Sequence, residues 1–250
     1  MAETRDLFAP LRGLTQARIG LGRAGQGLPT APALDFRLAH ARARDAVHGA
    51  LDPAALQAAL PCPALVVQSA APDRAAYLQN PDLGRALAGD AGLPAGPFDL
   101  VIVLGDGLCA RGVAAHGPAL VSALLPKLPD WSIAPVVIAT QARVGLGDPI
   151  GVAMGARCVL MLIGERPGLS SPDSVGAYLT WGPGPGKADS ERNCVSNIRP
   201  QGLKPELADD KIAWLLTEAR KLGLTGIALK DRHGAPSVAA QSGQQALPTD

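Results

Sequence analysis

Cys158-Val-Leu-Met-Leu-Ile163 is a short apolar run that stops abruptly at Gly164-Glu-Arg-Pro-Gly-Leu169. A continuous apolar run of that length, with no alternation, suits a strand covered on both faces, as in parallel sheets flanked by helices. Its exit has the opposite character. Gly164 and Gly168 allow backbone conformations closed to other residues, Pro167 removes a donor and fixes its own φ, and Glu165 and Arg166 put opposite charges at the strand end. Ligands of open α/β sheets sit beyond the carboxyl ends of the strands, so this loop is a candidate binding loop. Taken alone, the local residues fit a plain turn with a solvated ion pair equally well.

The same pattern recurs upstream. Asp99-Leu-Val-Ile-Val-Leu104 reads as a strand whose exit is Gly105-Asp106-Gly107, followed by a helix to about Leu125. Pro135–Thr140 is the next strand and Gln141–Gly147 its exit loop. Asp148-Pro149 then stands in N-cap and first-turn order before Ile150–Gly155. Strand, helix, strand, short helix, strand predicts an α/β fold: a Rossmann-like, mostly parallel sheet with flanking helices, whose exit loops share one edge. Downstream, Pro205–Leu222 keeps the helical period through Ala208, Ile212, Leu215, Leu216, Ala219 and Leu222, and Thr225–Lys230 reads as a closing strand.

Before the sheet the chain reads as helical. From Leu34 to Leu51, Phe36, Ala39, Ala43, Val47 and Ala50 recur at helical spacing and predict an amphipathic helix. Asp52-Pro53 breaks it and starts a second helix through Leu60, and Ala64–Ser69 suits a strand. The breaker-rich stretch from Ala88 to Pro97 marks a boundary. The expected organisation is a mainly helical N-terminal region over 1–96, an α/β domain over 97–231, and a polar, Gln-rich, frayed tail over 232–250.

Composition excludes several function classes. The 250 residues are 47% hydrophobic and 18% charged, enough to bury the core of one large domain or two small ones. A net charge of +1, from 23 basic against 22 acidic residues, gives no field to hold a polyanion, and 3% aromatics leave little to stack bases on. The expectation is therefore no nucleic acid. The longest apolar runs fall far short of the roughly 20 residues that span a bilayer. The opening Met1-Ala-Glu-Thr-Arg-Asp6 lacks the charge pattern of a secretory signal, so the cytoplasm is the expected location.

Cys62, Cys109, Cys158 and Cys194 have no Cys-x-x-Cys spacing and read as free thiols. His40, His48, His116 and His233 form no metal-ligating pair, so no metal site is expected. Gly20-Leu-Gly22-Arg-Ala-Gly25 fits the dinucleotide pattern G-x-G-x-x-G, which works only where it opens a helix. Pro29 and Pro32 follow too closely for a helix to run through them, which ranks this match below a glycine-rich turn or interface loop.

A set of segments, in order along nearly the whole chain, carries a resemblance. They are Gln16-Ala-Arg-Ile-Gly-Leu-Gly-Arg-Ala-Gly25, His40-Ala-Arg-Ala-Arg-Asp-Ala-Val47, Tyr77-Leu-Gln-Asn-Pro-Asp-Leu-Gly-Arg85, Gly105-Asp-Gly-Leu108, Arg143-Val144, Gly164-Glu-Arg-Pro-Gly-Leu169 and Asn193-Cys-Val-Ser-Asn-Ile198. Together they resemble the small (light) subunit family of ethanolamine ammonia-lyase.

The resemblance implies one subunit of an adenosylcobalamin-dependent lyase that converts ethanolamine to acetaldehyde and ammonia by a radical mechanism. The large (heavy) subunit would be its partner and carry the substrate pocket, so no catalytic residue is expected on this chain. Cobalt would be carried by the cofactor, its lower ligand the cofactor's own benzimidazole. That agrees with Asp231-Arg-His233, which fails the histidine-ligand motif Asp-x-His-x-x-Gly because Pro236 stands in the glycine position.

Carried over residue by residue, the family's cobalamin contacts fall on Val144, Glu165 and Cys194. A corrin rim bears amide side chains, so Glu165 can accept their N–H groups, Val144 offers apolar surface, and backbone groups near Val144 and Cys194 can meet the rest. Arg166 is a candidate partner for Glu165, and Gly105-Asp106-Gly107 a candidate wall of the same crevice.

Two departures limit the carry-over. Val152 stands where the family often has an acidic residue after Ile-Gly, which puts a polar contact from that turn in doubt. The near absence of a longer N-terminal extension makes the cytoplasm the primary expectation over packaging in a bacterial microcompartment. An independent nucleotide-binding α/β enzyme and a purely structural partner subunit stay open as alternatives.

Overall fold

A mixed six-stranded sheet forms the centre of the computed structural model, which describes residues 6–89 and 91–234. The tail segment 235–250 and the first five residues lie outside the described residues. In chain order the elements are α1 (Ala9–Arg12), α2 (Thr30–His48), α3 (Pro53–Ala59), β1 (Ala64–Gln68), α4 (Arg74–Gln79), β2 (Phe98–Gly105), α5 (Ala110–Leu124), β3 (Val136–Thr140), α6 (Gly147–Ala153), β4 (Ala156–Gly164), β5 (Val175–Trp181), β6 (Asn193–Ile198) and α7 (Pro205–Leu222).

The strand order is β1-β3-β2-β4-β5-β6. The first four are parallel, with Leu104 opposite Ile138 on one side and Leu162 on the other. β5 and β6 run antiparallel, Leu162 facing Ala177 and Tyr178 facing Cys194. The expected α/β class holds, and the sheet is parallel over its first four strands. β1, which precedes the breaker-rich stretch, pairs with β3 and so belongs to the same sheet.

Alternation along the strands divides the core between two faces. Leu100, Ile102 and Leu104 pack with Val113, Leu120 and Ile212 under α5 and α7, whereas Val101, Val103 and Met161 meet Leu146, Ile150 and Met154 of α6 and its approach. The apolar runs that predicted strands covered on both sides are so covered, each buried Leu or Ile contributing about 1.5–3 kcal/mol. At β6, the edge strand, the cover becomes one-sided. Val175, Ala177, Leu179, Val195 and Ile198 are buried against the α7 face, while on the other face Tyr178 is half-buried and Cys194 and Ser196 are exposed.

Helix ends follow their sequence signals. α7 occupies the predicted span, with Pro205 in its first turn, Arg220 and Lys221 in its last, and Gly223 closing it at φ +68. α2 begins at Thr30, earlier than the Leu34 expected, because Pro32 falls in the first turn, where a missing N–H costs no helix bond. None of its residues is fully buried: of the predicted apolar stripe, Ala39, Ala43 and Val47 are partly covered by the described residues, whereas Phe36 is 42% exposed. Gly20, Gly22 and Gly25 all have positive φ, and none opens a helix.

Two expectations are corrected. Thr225–Lys230 is a 3-10 turn at Gly226–Ala228 instead of a strand. Gly226 has φ +81, and a Cβ there would lie 2.2 Å from the Ser190 carbonyl oxygen. The segment is held by side chains: Thr225 donates to the Glu191 carbonyl at 2.7 Å, and Asn193 accepts from the Gly226 N–H at 2.8 Å. Asp148 does not cap α6 but lies within its first turn. Its carboxylate takes Arg192 in a two-pronged pair, Oδ1 at 3.1 Å and Oδ2 at 2.5 Å, while Arg192 also donates to Thr180 at 2.6 Å.

Candidate functional site

The site lies at the carboxyl edge, where β2 leads to α5 on one face and the adjacent β3 leads to α6 on the other. A crevice opens at such a divergence. Asp106, just beyond β2 and 1% exposed, holds the two exits together. Its carboxylate accepts the backbone N–H of Gln141 and of Ala142, each at 2.9 Å, and Arg74 reaches it from α4 at 3.4 Å. Burial pushes this carboxyl above its ordinary pKa, against the pull of Ala142, Gln141 and Arg74. Gln141 adopts φ +54, an unusual conformation for a residue with a side chain.

The exits of β2 and β4 also meet, Leu108 donating its N–H to the Gly164 carbonyl at 2.9 Å. This approach requires glycine: Gly107 has φ +56, and a Cβ on it would lie 2.1 Å from that carbonyl oxygen. On the β3 side α4 supplies a brace. Tyr77 is fully buried, donates its hydroxyl to the Ala142 carbonyl at 2.9 Å, and is flanked by the guanidinium groups of Arg74 and Arg143 at 4.8 and 4.4 Å from its ring centre. Burial pushes the Tyr77 phenol up to about 12.

Between these exits is a cleft of about 480 Å³. Gly107 and Leu108 form one wall, Arg143 and Val144 another, and Gly164, Glu165 and Arg166 a third; the rings of Tyr77 and Tyr178 complete it. The two sequence-predicted residues Val144 and Glu165, far apart in the chain, therefore line one cleft. Cys194 is the cross-strand partner of Tyr178 and interacts with its side chain, placing it beside the cleft and outside its lining. Arg166 lines the cleft but does not hold Glu165. One carboxylate oxygen of Glu165, Oε2, instead accepts the backbone N–H of Asn197 at 3.0 Å.

The chemistry of the site is that of binding. Desolvation raises the pKa of Tyr178, with Cys194 and Glu165 adding to it, and desolvation raises Cys194 despite its contact with Tyr178. Neither group is activated as a nucleophile at neutral pH. Among the described residues no three His, Cys, Asp or Glu side chains are grouped to hold a metal ion, and no helix is long and apolar enough to cross a membrane. All four cysteines are free thiols.

Tyr77, Arg143 and Tyr178 were not singled out as site residues by the sequence. Tyr77 and Arg143 stood in segments quoted for the resemblance, yet nothing local connects residue 77 to residue 143. That connection is made in the fold, where β1 pairs with β3 and the Tyr77 hydroxyl reaches the Ala142 carbonyl.

The sequence profile described as ethanolamine ammonia-lyase light chain (EutC) matches residues 5–230. The chain is 48% identical to a protein of Xanthomonas campestris pv. campestris named ethanolamine ammonia-lyase small subunit, over 98% of this chain and 94% of that protein. A protein of the same name from Bradyrhizobium diazoefficiens is 54% identical over 88% of this chain and 89% of its own length. The one from Azotobacter vinelandii is 48% identical over 91% and 89% respectively.

Proposed function

Because the chain belongs to the ethanolamine ammonia-lyase light-chain family, we propose that it acts within a two-subunit lyase, holding one side of adenosylcobalamin while a large subunit binds ethanolamine. The observation that carries this reading is the convergence of Val144 and Glu165 on one cleft at the carboxyl edge of the sheet.

The residues fit the rim of a corrin. Glu165 keeps Oε1 available to accept an amide N–H, since its backbone bond uses Oε2. Val144 contributes apolar surface, and Cys194 offers a small protonated thiol and its backbone at the exposed side of Tyr178. Bound there, the cofactor would supply the radical chemistry that converts ethanolamine to acetaldehyde and ammonia. The chain's own contribution is placement and exclusion of water. Val144, Glu165 and Cys194 are thus cofactor-binding residues, and none is a catalytic acid or base.

The N-terminal region over 1–96 is the surface we assign to the large subunit. Its support is α2, where Leu34, Phe36 and Leu38 are 56%, 42% and 51% exposed.

The test is Glu165→Ala in the complex reconstituted with the large subunit. Assembly is retained and cobalamin affinity falls on the order of tenfold, the effect of losing one hydrogen bond to a charged group. Unchanged affinity would leave the chain as a structural partner that does not touch the cofactor.

A further inference from the structure

Among the described residues, five buried side-chain polar atoms lack a hydrogen-bond partner, and three of them, Arg74 Nη2, Gln141 Oε1 and Arg143 Nε, belong to the network around Asp106 and Tyr77. Such atoms are rare in folded proteins and each calls for a partner. Arg143 also lines the cleft. Among the described residues its one side-chain hydrogen bond is a long one, from Nη2 to the Tyr77 carbonyl oxygen at 3.5 Å. No carboxylate among the described residues pairs with it: Asp106, the acid of the network, is taken by Arg74 and two backbone N–H groups.

The side chain is nevertheless held firmly. Its backbone N–H donates to the Gly84 carbonyl at 2.8 Å, its stem lies so close to Gly84 that a Cβ there would be 2.7 Å from Cγ, and its guanidinium stacks on the buried Tyr77 ring. A planar fork fixed in this way loses little entropy when it donates to a ligand.

We infer that Arg143 is a further ligand-contacting residue of the cleft, donating to amide carbonyl oxygens on the rim of the bound cofactor. Glu165 accepts amide N–H groups in the same cleft, so together the two side chains present both halves of the complement to a primary amide. The inference rests on the cofactor reading above and adds a residue and a recognition rule to it. A neutral dipolar group is favoured over an anion because Glu165 opposes the charge of Arg143, while Arg166 is exposed and screened by solvent.

The test uses the reconstituted two-subunit complex with hydroxocobalamin as the probe, affinity being read from equilibrium dialysis and assembly from native mass spectrometry. Arg143→Met keeps the stem and removes every donor. The complex assembles and the dissociation constant rises on the order of tenfold. If the Met variant does not assemble, Arg143→Lys carries the test. It keeps a cation over Tyr77 but loses the planar fork, and affinity falls several-fold, by roughly half a hydrogen bond to a charged group. Wild-type affinity in an assembled Arg143 variant overturns the inference. Glu165→Ala is run beside it: weakened binding there with unchanged binding at Arg143 leaves the cofactor reading standing and removes only the Arg143 contact. Unchanged binding in both removes the cofactor reading itself.

Discussion

The carboxylate of Asp106 joins the end of β2 to the end of β3 by accepting the backbone N–H of Ala142 at 2.9 Å. The adjoining N–H of Gln141 and the guanidinium of Arg74 use the same side chain, so three donors from two other segments depend on one buried acid. Asp106→Ala strands all three. Denaturant unfolding should record a loss of about 3–5 kcal/mol, the cost of breaking a buried charged network from one side. Asp106→Asn keeps one acceptor but turns an N–H toward the second backbone donor, and its loss should be smaller. A loss below about 1 kcal/mol for the Ala variant would mean the exits do not rely on this residue.

Gly107 provides a second check on the same crevice. Gly107→Ala must place a methyl 2.1 Å from the Gly164 carbonyl oxygen while holding φ +56, so either the β2 or the β4 exit has to move. The expected result is a loss of more than about 2 kcal/mol together with weakened cobalamin binding by the complex. Gly184→Ala is the control, since a Cβ there meets nothing within 4 Å; its effect should stay within about 0.5 kcal/mol.

The pair Arg192 and Asp148 ties α6 to the approach of β6 with side chains only 3% and 10% exposed. Arg192→Met leaves the Asp148 carboxylate buried without its partner, at an expected cost of about 3–5 kcal/mol. Adding Asp148→Asn should restore part of that loss, because the uncompensated charge is gone. A double-variant stability equal to the sum of the two single losses would show that the groups are uncoupled.

Cys194 is exposed, yet desolvation by its surroundings holds its thiol above the ordinary value. Reaction requires the thiolate, so iodoacetamide labelling at this residue, followed by peptide mass spectrometry, should be slow at pH 7 and accelerate about tenfold per pH unit up to pH 9. A rate that is already flat across that range would indicate a lowered pKa and contradict the protonated thiol assigned here.

Much of this fold was legible because its strands are apolar without interruption and its long C-terminal helix is amphipathic over its full length. Phe98–Gly105, Val136–Thr140, Ala156–Gly164 and Pro205–Leu222 lie within two residues of where their patterns put them. β5 was missed because Val175-Gly-Ala-Tyr-Leu-Thr-Trp181 contains a glycine and follows a loop rich in Ser and Pro, a composition that reads as continued loop. Thr225–Lys230 misled in the other direction. Its apolar residues look strand-like, but the positive φ of Gly226 stops a ladder.

The site was legible in part. Val144 and Glu165 could be proposed by resemblance, and exit loops on one edge are what a parallel sheet provides. The brace from Tyr77 to Arg143 could not be, because stacking of an aromatic ring on a guanidinium across 66 residues of chain leaves no local trace. The orphaned Nε of Arg143 is likewise a property of packing alone.

The one-sided cover of β6 has a thermodynamic consequence. After β4 the chain returns antiparallel, with no crossover helix, so no described helix roofs Cys194 and Ser196 beside the half-buried Tyr178. Whatever settles there supplies the missing outer layer, and its binding free energy is added to that of folding. Thermal stability should therefore report occupancy, the melting temperature climbing with the logarithm of ligand concentration once the dissociation constant is passed. A ligand that does not bind the native protein would show no such climb.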